Sequence, residues 1–104
     1  MKVADLPIAC SLTEPELQER RSAVLQKVGR AVLETVEVEN GYAYRFPSDD
    51  EWLSELINLV RLERRCCPFL TFKISVEAGG GAVWLELTGP SGTKEFLSSL
   101  LHQT

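Results

Sequence analysis

One histidine, an odd number of cysteines and no long apolar run set the first limits on this chain of 104 residues. His102 follows the last apolar pair and reads as a frayed terminal position. Without it, no Ser-His-Asp or Cys-His set can be assembled. No segment approaches the ~20 apolar residues of a membrane span. Residues Met1 to Leu12 are interrupted by Asp5 and Pro7, which excludes a signal peptide and, equally, a lipid anchor at Cys10. Three cysteines, two of them adjacent, do not form a secreted disulfide framework. Joining neighbouring cysteines would distort the peptide between them, so a reducing cytoplasm is expected. Eleven basic against fifteen acidic side chains leave a net charge of -4, which disfavours DNA, RNA and anionic membranes as partners. Gly79-Gly80-Gly81 lies between two strand-like segments rather than before a helix, so it is no phosphate loop.

What is present suits one α+β domain spanning 1–104. Apolar residues make up 44% and charged residues 25%, near the averages for globular proteins. At this length roughly two-thirds of the unfolded surface can be buried without disulfide staples. After a leader over 1–12, Thr13 and Glu16 stand at capping-box spacing around Pro15, and the pattern predicts a helix over 13–29. Alternating residues over 34–46, broken at Asn40-Gly41, predict a hairpin. A second helix is expected over 48–67, capped by Ser48 and Glu51, with Trp52, Leu53, Leu56, Ile57 and Val60 as its buried stripe. Acidic residues at its start and Arg61, Arg64 and Arg65 at its end suit the helix dipole. A second hairpin over 70–88 and a last amphipathic helix over 91–102 complete the order αββαββα. Gly89-Pro90-Ser91-Gly92 is the turn into that helix, and helix-start chemistry accounts for Asp49-Asp50-Glu51 without a metal.

The strand patterns also predict registers. For the first hairpin, a three-residue bulged loop (Glu39-Asn40-Gly41, with Gly41 left-handed) places Val36, Val38, Tyr42, Tyr44 and Phe46 on one face. For the second, pairing Val76 with Val83 aligns Phe72, Ile74, Val76, Val83, Leu85 and Leu87, and sets Lys73 opposite Glu86. Two hairpins with one apolar face each join most simply into a four-stranded antiparallel sheet with helices on one side, a two-layer sandwich. Trp84 then falls on the open face, where a homodimer or another partner would cover it.

The chemistry concentrates in Glu63-Arg64-Arg65-Cys66-Cys67-Pro68-Phe69, at a junction of helix and strand. Thiolates are soft ligands that select Zn²⁺, Cu⁺, Cd²⁺, Hg²⁺ or As³⁺ over Mg²⁺ and Ca²⁺. Cys10, on the leader, is the third candidate ligand beside Cys66 and Cys67, with water, Glu63 or His102 as a fourth. Two other readings stand beside this one. Free cysteine is often simply buried as a small hydrophobe. Alternatively, Arg64 and Arg65 lower a thiol's pKa, making Cys66 or Cys67 a nucleophile or redox thiol with Cys10 as its resolving partner.

Four segments carry a resemblance over nearly the whole chain. They are Ala9-Cys10-Ser11-Leu12; Asn40-Gly41-Tyr42 with Tyr44-Arg45-Phe46-Pro47; the Glu63–Phe69 stretch; and Leu87-Thr88-Gly89-Pro90 with Glu95-Phe96-Leu97. Together they resemble a group of small bacterial proteins that occur alone or beside mercury- and arsenic-type resistance genes. The resemblance implies a heavy-metal or thiol-related role for Cys10, Cys66 and Cys67, and it implies no particular reaction.

Overall fold

Helix α1 (Pro15–Ala31) leads into strands β1 (Glu34–Val38) and β2 (Gly41–Phe46), and helix α2 (Asp50–Cys66) follows. Strands β3 (Thr71–Val76) and β4 (Val83–Thr88) precede the last helix, α3 (Thr93–Leu101). This is a computed structural model, and it describes residues 14–101. Thr13, Cys10 with the rest of the leader, and His102 lie outside the described residues. The expected α+β order holds, and the four strands form one antiparallel sheet in the order β1-β2-β4-β3. The two hairpins therefore meet through their inner strands.

The helices share one side of the sheet. Phe46 of β2 stacks on Trp52 of α2 at 6.1 Å, and the Tyr42 hydroxyl of β2 lies 3.5 Å from Ser98 of α3. Under them, Tyr44, Phe46, Val83, Leu85 and Leu87 of the sheet bury against Leu25, Val28, Leu56, Leu59 and Leu97 of the helices. Phe69, between α2 and β3, meets Phe96 of α3 edge-on at 5.1 Å, a favourable aromatic geometry.

The second hairpin keeps its predicted register: Val76 pairs with Val83 and Lys73 with Glu86. The first does not. A two-residue turn, Glu39-Asn40, joins Val38 directly to Gly41, and Val36 pairs with Ala43. Asn40, not Gly41, holds the left-handed conformation, at φ 58°. The physical reason is tertiary. Gly41 runs so close to β4 that a Cβ there would sit 1.9 Å from the Leu87 carbonyl oxygen. The glycine serves strand approach, and asparagine tolerates the turn conformation. In consequence Val36 and Val38 point to the open face, while Thr35 and Glu37 point to the helix side, where Glu37 pairs with Lys94 of α3.

Helix ends and faces shift in smaller ways. Asp49 rather than Ser48 caps α2, its carboxylate accepting from the Trp52 N–H at 3.0 Å. Helix α1 begins at Pro15 behind Glu14, which makes no side-chain cap, and it runs through the buried Gly29 to Ala31. On α2 the deeply buried positions are Leu56, Leu59, Glu63 and Cys66, while Ile57, expected in the stripe, is 46% exposed. The stripe is rotated because α2 packs against α1 as well as the sheet.

Candidate functional site

Two ion pairs set how α1 lies on α2. Arg21 meets Glu63 and Lys27 meets Glu55, so positions rise along one helix as they fall along the other. The helices are antiparallel, and the beginning of α1 lies by the end of α2. Arg21 and Glu63 both occupy positions in apolar stripes: Arg21 stands four residues before Leu25, and Glu63 four after Leu59. Each helix thus presents one charge where its neighbours bury hydrocarbon.

The charges meet in a forked arrangement. The Arg21 Nε donates to Glu63 Oε2 at 2.6 Å, and its Nη2 donates to Oε1 at 3.1 Å. The Glu63 side chain is 2% exposed and that of Arg21 13%. Burial works against the Arg21 charge, but the Glu63 carboxylate outweighs it and holds the guanidinium above its ordinary pKa.

Cys67 completes the cluster. Its thiol donates to Glu63 Oε1 at 3.7 Å and accepts from Arg21 Nη2 at 3.8 Å. Position follows from backbone chemistry. The Cys67 N–H closes the last turn of α2 on the Glu63 carbonyl, and Pro68 keeps Cys67 out of helical dihedrals, at φ -122° and ψ 74°. Cys67 is a free thiol with no solvent exposure. Burial, and after it the neighbouring Glu63 charge, pushes its pKa up to about 12, with Arg21 opposing. At neutral pH this sulfur is a protonated thiol.

Cys66, one residue earlier, is fully buried and joined in a disulfide. The third cysteine, Cys10, lies outside the described residues. Arg64 and Arg65 are exposed, and neither contributes to the pKa of Cys67. The arginine at the thiol is Arg21, 46 residues away in sequence. Sequence reading missed it; the available signal was a charge in each of two apolar stripes. A cleft of about 220 Å³ between α1 and α3, lined by Arg21, Ser22, Leu25, Gln26, Ser99 and Leu100, leads toward the guanidinium.

Among the described residues, no group of three or more histidine, cysteine, aspartate or glutamate side chains could hold a metal ion. Among them, too, no helix is long and apolar enough to cross a membrane. Trp84 is half-buried on the open face of the sheet, and its indole N–H donates to Glu77 at 3.4 Å.

Fold and site together define an α+β sandwich with a sulfur pair and a buried guanidinium–carboxylate pair at one helix end. Set against protein-family models, curated proteins and solved structures, the chain matches none.

Proposed function

We propose that the chain is a cytoplasmic soft-metal-binding domain whose ligands are the thiolates of Cys10, Cys66 and Cys67. The observation that carries this reading is the placement of two adjacent buried cysteines, Cys66 and Cys67, at the end of α2 beside the start of α1. The antiparallel packing of α1 on α2 supports Cys10 as the third ligand, because the start of α1 lies by the end of α2 and Cys10 stands five positions before Pro15 in the sequence. The resemblance of the Glu63–Phe69 stretch to proteins encoded beside mercury-resistance genes points to the same ligands.

The raised pKa of Cys67 burdens every metal alike, since the buried thiol must lose its proton before its sulfur can bind. The metals are therefore ranked by their affinity for sulfur. The softer Hg²⁺, with its stronger preference for sulfur, absorbs that cost more easily. The same raised pKa weighs against Cys67 as an attacking nucleophile, since only ~10⁻⁵ of it is thiolate at pH 7.

Equilibrium dialysis of the reduced protein against Zn²⁺, Cd²⁺ and Hg²⁺ tests the proposal. One equivalent of Hg²⁺ or Cd²⁺ should be retained, Zn²⁺ should be retained least, and a triple Cys→Ser variant should retain none. Equal uptake by the wild type and the triple variant would end the idea.

A further inference from the structure

The sheet ends on two unlike edges, β1 on one side and β3 on the other. Glu34, Glu37 and Glu39 line the first, so a second copy brought there would meet like charges. The β3 edge carries one charge, Lys73, which lies opposite Glu86 of β4. Among the described residues, no strand pairs with β3 on its outer side.

The hydrogen-bond alternation fixes what β3 presents there. The Glu77 N–H donates to the Ala82 carbonyl at 2.9 Å, one step past the pairing of Val76 with Val83. Bonded and non-bonded pairs alternate along an antiparallel ladder. Thr71, Lys73 and Ser75 therefore bond to β4, while Phe72, Ile74 and Val76 turn their N–H and C=O groups outward. The side chains of those three lie on the helix side, opposite Leu87, Leu85 and Val83. Val76 is 57% exposed. Beside Phe72 a cleft of about 500 Å³ opens, lined also by Val60, Arg64, Pro68 and Leu70. Ile57, one helical turn before Val60, is 46% exposed.

We propose that β3 is a homodimerisation edge, pairing antiparallel with β3 of a second copy about a two-fold axis through Ile74. The two sheets then become one, with the helices of both copies on the same side. The strand is self-complementary in this register. Ile74 faces Ile74 of the second copy, Phe72 faces Val76, and Lys73 faces Ser75. Phe72, Ile74 and Val76 each exchange both backbone groups with the second copy, and the exposed Val76 of one copy stands at the Phe72 cleft of the other. Neighbouring registers are worse. An axis through Lys73 sets two lysines face to face, and one through Ser75 leaves Phe72 opposite Ala78, beyond the end of the strand. This surface is separate from the open face that carries Trp84. No cysteine lies on it, so it stands apart from the metal-binding reading.

Sedimentation equilibrium of the full chain tests the proposal. From ~10 μM to ~1 mM the wild type should shift from monomer to dimer, and that dimer should run as a monomer on a denaturing, non-reducing gel. Val76→Lys, at an exposed position that leaves the fold intact by circular dichroism, should weaken association at least ten-fold. Ser75→Glu, facing Lys73 across the axis, should tighten it about three-fold, and Ser75→Lys should weaken it as much. Trp84→Lys should leave it unchanged. Amide exchange by NMR supplies the edge-specific readout: Phe72, Ile74 and Val76 should exchange fast in dilute protein and slow as concentration rises. A wild type still monomeric at ~1 mM would overturn the proposal. So would a disulfide-linked dimer, or a dimer lost in Trp84→Lys and kept in Val76→Lys. Slow exchange of those three amides in dilute monomer would assign the edge to another segment of the same chain, and would overturn it equally.

Discussion

Replacing Arg21 by methionine should cost the oxidised protein about 3 kcal/mol, while replacing both Arg21 and Glu63 by methionine should return most of it. The single change removes both charge-assisted bonds, at 2.6 and 3.1 Å, and leaves a carboxylate that is 2% exposed. Among the described residues, its remaining hydrogen-bonding partner is the Cys67 thiol at 3.7 Å, a weak donor. Breaking a buried pair from one side typically costs ~3–5 kcal/mol; the 13% exposure of Arg21 places this case at the lower end. Removing both charges replaces the pair by hydrocarbon of similar reach, which is often neutral to within ~1 kcal/mol. Urea unfolding followed by tryptophan fluorescence, with the slope m compared across variants, supplies the free energies. Because the pair is shielded from solvent, the single-variant loss should change little between low and high salt. A loss below ~1 kcal/mol in Arg21→Met would refute the reasoning, since a buried carboxylate would then have been left unpaired at no cost. So would a double variant as unstable as the single one.

Three further outcomes follow from the same geometry. The folded Cys67 thiol has its pKa raised from 9.0 to about 12. Its contribution is therefore complete below pH ~9 and is lost as pH climbs from there toward 12, at ~1.4 kcal/mol per unit. Denaturant midpoints measured from pH 7 to 10 should show that decline, and Cys67→Ala should remove most of it; above pH ~10 the buried Tyr44 hydroxyl, whose pKa is also raised, adds its own loss. Gly41→Ala should cost about 3 kcal/mol or more in urea, because the new Cβ would stand 1.9 Å from the Leu87 carbonyl oxygen; a loss under ~1 kcal/mol would mean the β2–β4 spacing is wrong. Asp49→Ala should cost ~1 kcal/mol as a lost helix cap while Ser48→Ala stays within ~0.5 kcal/mol, and thermal unfolding with the opposite ranking would return the cap to Ser48.

Where local pattern and tertiary demand agreed, the outcome was legible from residues alone. The second hairpin is such a case, since its alternation, its glycine-rich loop and the Lys73–Glu86 pair all favour one register. The first hairpin is the opposite case. Val36 and Val38 alternate as cleanly as Tyr42, Tyr44 and Phe46, so the apolar pattern favours placing all five together. Yet β1 is an edge strand, and Val36 remains 39% exposed on the open face. The choice turned on the backbone approach of Gly41 to β4, which no spacing along the chain records.

The sequence by itself determined the element order, the antiparallel hairpins, the core strands and the place of the cysteine doublet at a helix-to-strand junction. Period-two and period-3.6 alternation, turn residues and Pro68 are local signals, and local signals suffice for local structure. Only the tertiary structure decided what surrounds the sulfurs. Arg64 and Arg65 are neighbours of the doublet in sequence and are exposed, while Arg21, on another helix, donates to the Cys67 thiol and pairs with Glu63 beside it. Helix packing brings together residues far apart along the chain. The electrostatics of a buried thiol depend on distance and desolvation in space, so the protonated state of Cys67 could not be read before the helices were placed.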